Sequence, residues 1–316
     1  LTGVIGNLER RDLLVTFNVP LSDKVFVRVA GTTKEHDGYV TRLIDGQKTG
    51  DQDVKAGRVQ LRWVPNERFD VNLSVDASRS SDHGSATDVP IIDPTDLAPR
   101  QLGNPGYSEN LVTPSRWTVQ GGDPERGRFE SVGATATVVY AINDNLTFKS
   151  LSGYRTSDQY LLQDWDRTPY PVWAEESNTE IEYYTQEFQL SGDSFDGRLK
   201  WLTGLFYLRE MSVDLKFRNT ALEPPNTIEL RDIDVESYAA FAQGTYQLTG
   251  RLSATVGARY SKDEKDYFGV RGPFSGSNSG SWSSFTPLVG LEFQWTDDVM
   301  VYVSAAKGTR AGGFNS

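Results

Sequence analysis

Cysteine is absent from the 316 residues, and histidine occurs only twice. Without cysteine there is neither a disulfide framework nor thiolate chemistry. His36 and His83 lie far apart in the chain and read as unrelated surface residues rather than a metal site. Basic charge is also in deficit: 32 Lys and Arg against 43 Asp and Glu leave a net charge of −11. That balance argues against a nucleic-acid partner, which calls for a basic stripe. Long apolar runs are missing too. The longest, Val138 to Ile142, is about five residues, where a membrane-spanning helix needs about 20. A barrel strand shows lipid only every second residue, so this absence leaves a membrane-crossing sheet open. No Gly-rich loop follows a strand and opens a helix, and Gly121-Gly122 reads as a turn. The acid pairs Glu175-Glu176 and Asp297-Asp298 read as solvated loop charges. A barrel hydrolase needs serine, histidine and an orienting polar group, and neither histidine has a marked serine context. No enzyme, cofactor or metal site is expected.

What is present is alternation. Tyr238, Ala240, Ala242, Gly244, Tyr246 and Leu248 share one face of a strand, and Phe241, Gln243 and Thr245 share the other. After the turn Leu248-Thr249-Gly250-Arg251, Leu252, Ala254, Val256, Ala258 and Tyr260 oppose Arg251, Thr255 and Arg259. Period-two patterning on both sides of a short turn reads as a β-hairpin. The same pattern recurs at Leu13–Val19, Val25–Ala30, Val59–Trp63, Phe69–Ala77, Val132–Tyr140, Leu146–Tyr154, Leu199–Tyr207, Phe285–Trp295 and Val299–Lys307, and less clearly at Thr179–Leu190. Pro287 is out of place in such a strand, because proline removes a ladder donor.

This makes about 12 strands and no convincing helix. The connections alternate short and long. Short turns fall at Pro20, Pro65, Asn143, Gly192, Thr249 and Asp297, and long loops at Asp37, Ser80, Gln163, Phe217 and Lys265. Trp63, Phe69, Tyr140, Trp201, Tyr246, Trp295 and Tyr302 lie beside the short turns, as an interface girdle would. The reading is all-β: an antiparallel up-and-down transmembrane β-barrel.

Tyr184-Thr185-Gln186-Glu187-Phe188-Gln189-Leu190-Ser191, Gly197–Tyr207 and Leu252–Tyr260 resemble strands of TonB-dependent outer-membrane receptors. Lys307–Asn315 resembles the family's Gly-aromatic-Arg-Pro-Gly-Gly-Phe stretch, with Thr309 and Ala311 departing from it. The resemblance runs over nearly the whole chain. It implies a barrel of about 22 strands around an N-terminal plug. Residues 1–316 would then be part of that barrel, with the plug and about nine C-terminal strands outside it, and Leu1 beginning in mid-pattern. It further implies the outer membrane of a Gram-negative cell, lipid around the wall, and a TonB complex acting through the plug. The ligand implied is an iron chelate such as a ferric siderophore, a cobalamin or a glycan.

Binding residues concentrate on long loops carried by a rigid scaffold. The loops Asp82–Pro124 and Trp165–Trp173 therefore supply the candidate ligand contacts Arg116, Trp117, Trp165, Tyr170 and Trp173, with Arg155 on the lumen face. The lumen is expected to carry Arg58, Arg62, Arg155, Arg259, Gln243 and Glu292. Lumen hydration and plug contact account for any single arginine as well as ligand binding does, and an outer girdle accounts as well for the aromatic loop. Two other functions stay open. A passive porin-type channel predicts a closed seam between the strands at Leu13 and Val301. A secreted soluble glycan-binding β protein predicts a second layer over Phe285–Trp295.

Overall fold

The computed structural model describes residues 1–85, 109–113, 115–170, 173–220 and 227–314. Its strands in chain order are β1 (Thr2–Ile5), β2 (Arg11–Ser22), β3 (Val25–His36), β4 (Val40–Arg42), β5 (Lys48–Thr49), β6 (Gln52–Asn66), β7 (Phe69–Asp82) and β8 (Thr118–Val119). Then come β9 (Arg126–Asn143), β10 (Leu146–Asp164), β11 (Trp173–Ser194), β12 (Leu199–Thr220), β13 (Thr227–Gln247), β14 (Leu252–Arg271), β15 (Phe274–Gln294) and β16 (Met300–Ala306). Thirteen of them form one antiparallel meander, β1-β2-β3-β6-β7-β9-β10-β11-β12-β13-β14-β15-β16. The other three make a small sheet, β5-β4-β8. Among the described residues β2 pairs only with β1 and β3, and β16 only with β15, so the seam that a closed porin needs is not formed.

The alternation read from the sequence is the alternation of the wall. Val256 is 64% exposed on the outer face. Arg259, on the opposite face, lies over the rings of Phe206 and Phe241 at 5.2 and 5.7 Å. Thr245 and Thr255 share a hydroxyl hydrogen bond of 2.8 Å on that inner face. The outer face at Phe285–Trp295 carries no second layer among the described residues: Phe285, Val289 and Trp295 are all exposed. Pro287 fits because its carbonyl accepts from Lys307 N–H, at 3.1 Å, where the β16 ladder ends. In an antiparallel strand a residue's N–H and C=O point to the same neighbour. The donor that Pro287 lacks therefore leaves no β14 bond unmade.

The register also gives the tilt. One row of paired residues runs Trp63, Val71, Val138, Ser150, Phe188, Leu205, Ala240, Tyr260. It starts in the aromatic girdle beside a short turn. It ends at Tyr260, whose partner Ala240 lies two residues from Tyr238 of the ring pair Tyr207–Tyr238. Seven steps of about 4.8 Å cover about 34 Å. Climbing an apolar band about 25 Å tall over that path needs a strand tilt of about 45°, the upper end of the range for membrane barrels. Trp295, just past the end of β15, and Phe285, ten residues back within it, agree: roughly 33 Å along a strand so tilted rises about 23 Å.

Two loop expectations change. The stretch Lys265–Ser281, read as a Gly/Ser-rich loop, is strand in both β14 and β15, joined by a tight turn at Gly272-Pro273. Phe217, where a loop was expected, lies in β12, which runs to Thr220, and Pro224-Pro225 lie outside the described residues. Ladder bonds need only the backbone, so the hairpins continue past the membrane with polar residues on both faces. A 22-residue strand such as β11 is about 73 Å long, roughly twice what the tilted band needs. Glu175, read as a solvated loop charge, is instead a buried β11 residue.

Candidate functional site

Little of the wall is buried. The side chains buried most completely, Val40, Thr49, Thr168 and Asp164, all belong to the cap formed where three loops meet at the long-loop end. The segments are 37–51, 115–125 and 164–170. β4 pairs with β5 and runs parallel to β8, continued by Thr41 N–H to Trp117 O and Leu43 N–H to Val119 O, both 2.8 Å. Apolar residues in these loops are too few to fill a core, so charge fills it. Arg42 is 5% exposed and donates to the Asp45 carboxylate and to the Asp123 carbonyl. Asp164, 1% exposed, accepts from the N–H groups of Gly122 (3.0 Å), Asp123 (3.3 Å) and Arg167 (2.8 Å). Gly122 N–H also bonds Thr168 O at 2.7 Å, and an added Cβ there would press on the Thr168-Pro169 backbone. Glu125 is ion-paired with Arg167. Burial pushes the carboxyls of Asp164, Asp166 and Glu125 above their ordinary range, and Arg167 pulls Glu125 part of the way back. Arg42 and the Gln47 N–H hold the Asp45 carboxyl down at about 2.

This core holds rings at the surface. Trp165 N–H donates to Trp173 O at 2.9 Å, and Asp166 accepts from Trp173 N–H at 2.7 Å. The two indoles sit 5.8 Å apart and tilted by 34°. Arg116 lies over Trp117 at 4.6 Å, and Tyr39 meets the same indole edge-on at 5.8 Å. Trp117, Trp165, Trp173 and Tyr39 are all more than 40% exposed. Tyr170 is half-buried, its N–H 3.3 Å from Thr168 Oγ1. The structure thus brings Arg116, Trp117, Trp165, Tyr170 and Trp173 onto one cap. Arg155 stands apart, nine residues down β10 from Asp164 or roughly 30 Å along the strand. There it bonds Asp76 at 2.8 Å and Ser131 at 2.9 Å, with Arg58 on the other Asp76 oxygen at 3.6 Å. Arg62 is matched by Asp70 at 2.6 Å. These are arginines of the lumen wall with partners in the wall. Most of the loop Asp82–Pro124 lies outside the described residues.

Sequence reasoning missed Tyr39 and the ionic core. Its trace is a concentration of Asp, Glu and Arg beside glycines at 121–125 and 164–167, which on the sequence alone resembles any solvated loop. His83 Nδ1 is 2.8 Å from Asp51, and His36 Nδ1 is 3.0 Å from the Asp37 carbonyl. Among the described residues no three His, Cys, Asp or Glu side chains gather as a metal site would.

Residues 67–316 match the family described as TonB dependent receptor-like, beta-barrel. The fold is similar to the ferric yersiniabactin uptake receptor FyuA from Yersinia pestis, with a TM-score of 0.77 at 16% identity, over 95% of this chain and 45% of that one. It is similar to the ferric-catecholate import receptor Fiu from E. coli K12, with a TM-score of 0.71 at 14% identity, over 96% of this chain and 53% of that one. The copper transporter OprC gives a TM-score of 0.67 at 14% identity, over 96% and 43%. The chain therefore spans about half the length of these structures, and at these identities the likeness concerns the fold.

Proposed function

This chain belongs to the TonB-dependent receptor-like β-barrel family, and from that premise we propose that it forms wall and ligand-facing loops of an outer-membrane uptake receptor in a Gram-negative cell. The cargo proposed is a scarce metal chelate of the ferric-siderophore kind. Capture is by the cap, and release follows displacement of a plug driven by a TonB complex. No bond of the cargo is made or broken.

One observation carries this reading. The ionic core of the cap is buried beneath the exposed indoles of Trp165 and Trp173, and the Arg116 guanidinium lies over a third indole, Trp117, at the end of the barrel away from the short turns. Rings offer large contact area at small conformational cost, and Arg116 can grip anionic oxygens of a chelate. Cobalamin and glycan cargo share the rings but make less use of Arg116.

The test uses the full-length receptor on whole cells, with surface expression followed independently. The double variant Trp165→Ala/Trp173→Ala and the variant Arg116→Gln should each lower ferric-chelate binding at least about tenfold, or 1.4 kcal/mol. Unchanged affinity, within about twofold at full expression, would remove the cap from the site.

A further inference from the structure

We propose that the groove across β3, β6 and β7 on the outer wall is a lipid site, and that it takes one acyl chain of a phospholipid whose headgroup carries a phosphate with an amine beyond it. The proposal takes from the receptor reading only the bilayer around the wall. It adds a partner that involves neither the cap nor the cargo.

The groove holds about 600 Å³. Gly31, Gly57 and Ala77 form its floor and pair with one another across the three strands. Gly57 and Ala77 stand six residues from Trp63 and Val71, an even spacing, so the floor lies on the outer face. Val59 and Val75, 50% and 55% exposed, make the bank below it. Val15 and Val132 close its two ends. Neither Gly31 nor Gly57 has a positive φ. An added Cβ at either would meet one backbone oxygen, at 3.9 and 3.8 Å, an ordinary contact. Nothing within the wall therefore calls for glycine, which weakens a strand and marks places where a ligand or another chain comes close. On a lipid-facing wall, a trough with an apolar lower bank suits a run of methylenes.

The upper bank carries charge. Lys55 and Arg79 are cross-strand partners, each eight residues up-strand from the Trp63–Val71 pair. That is about 26 Å along the strand, or about 19 Å of rise at the tilt found above, near the top of the apolar band. Their long side chains reach the headgroup layer from there. Lys55 is 3.3 Å from Asp53 and Arg79 is 3.4 Å from Glu130, and all four side chains are exposed, so both pairs are loosely held. The four charges cancel. A bare anion brought to the two cations would also meet two carboxylates. A headgroup with both signs finds a partner for each. Asp53 lies two residues farther from the bilayer centre than Lys55, so the order outward along β6 is cation, then carboxylate. A phosphate beside the glycerol with an amine beyond it has the complementary order.

Another part of the wall shows why the headgroup belongs here. Above Tyr207 and Tyr238, the outer face turns out Asp234, Glu236, Glu264 and Asp266 against Arg209 and Lys262. That surplus of acid repels a phosphate, whereas the bank at Lys55 and Arg79 is balanced. Floor and bank act on different parts of one molecule: the glycines admit the chain, and the charges select what it carries.

The experiment titrates the full-length receptor in detergent with phosphatidylethanolamine, phosphatidylglycerol, lipid A and diacylglycerol, and reads bound lipid by native mass spectrometry. Phosphatidylethanolamine should bind, and the other three should bind at least about tenfold more weakly. Gly57→Ile fills the floor without touching charge and suits a strand, so it should lower phosphatidylethanolamine affinity about tenfold. Lys55→Gln/Arg79→Gln should bring phosphatidylethanolamine down to the level of diacylglycerol. Should the double variant fail to assemble, Gly57→Ile and the four-lipid comparison still decide. Diacylglycerol binding as tightly as phosphatidylethanolamine overturns the proposal in favour of an unselective apolar groove. Phosphatidylglycerol or lipid A binding as tightly overturns it in favour of a general phosphate site. Phosphatidylethanolamine binding unchanged in both variants also overturns it. So does a receptor dimer that holds no lipid and is lost in Gly57→Ile, since the groove would then belong to a second copy. Cargo is not read in this titration. Failure here leaves the receptor reading standing, and Trp165→Ala/Trp173→Ala should lower ferric-chelate binding with phosphatidylethanolamine binding unchanged.

Discussion

The wall and the cap of this protein are built by opposite rules. On the wall, Val256, Leu205 and Val289 are each at least half exposed, and polar side chains line the other face. In the cap, Arg42, Asp164, Glu125 and Thr168 are buried while Leu43, Ile44 and Trp117 are exposed. The difference reflects the solvent. Lipid covers the outer wall, so apolar side chains need no protein partner there, and between the two edges of the sheet the backbone ladder pairs the strand polar groups with one another. The cap stands in water on the long loops. Its interior is closed by charge paired with charge and with backbone N–H groups, an arrangement that is costly to break by removing one partner.

The comparison breaks most severely at Arg167. Arg167→Met leaves Glu125 buried and unpaired, a change that costs about 3–5 kcal/mol in such settings. The cap amides of Gly122 and Asp123 should lose hydrogen-exchange protection while the barrel still assembles. Loss of assembly would show that wall and cap are not separable. Next in size is Val256→Arg, which should cost roughly 2–4 kcal/mol of insertion if the site is near the bilayer midplane. The same residue placed at Leu43, 55% exposed in the cap, should change stability by no more than about 0.5 kcal/mol. Equal effects in an assembly assay would erase the distinction between lipid and water. The smallest effect is on pH. Asp164, Asp166 and Glu125 have folded-state pKa values raised above their unfolded ones. As pH falls from neutral through those raised values, the folded cap takes up protons before the unfolded one, so its stability rises. Asp45, held at about 2, keeps its favourable contribution throughout that window and loses it only in stronger acid. Cap amide protection, corrected for intrinsic exchange, should increase as pH falls below neutral toward the ordinary carboxylate range. A decrease would mean that pairing, not burial, governs these carboxyls.

The part of the fold legible in the sequence was the part bathed in lipid on one side and water on the other. There the alternation of Leu252–Tyr260 or Phe285–Trp295 has a physical cause, and the turns at Thr249 and Asp297 interrupt it. Above the membrane both faces are wet, so Lys265–Ser281 carries no alternation although it is strand. The four-residue β1 was too short to show a period, as were β4, β5 and β8. Of the candidate site, the tryptophans of the cap were legible because seven tryptophans in a polar chain stand out. The charges beneath them were not, since Asp164 or Arg42 reads like any solvated loop residue until its partners are known. Arg155 was read on the lumen face, and its partners Asp76 and Ser131 hold it there in the wall.

The central claim is that the cap faces the outside, the short turns face the opposite compartment and the alternating apolar face meets lipid. Because this chain contributes no cysteine of its own, single cysteines introduced into the full-length receptor test it directly. The measurement is labelling of Asp45→Cys, Asp298→Cys and Val256→Cys on intact cells with a membrane-impermeant maleimide. Asp45→Cys should label on intact cells, Asp298→Cys only after the outer membrane is opened, and Val256→Cys in neither case. Labelling of Asp298→Cys on intact cells, or of Val256→Cys by the aqueous reagent, would contradict the account.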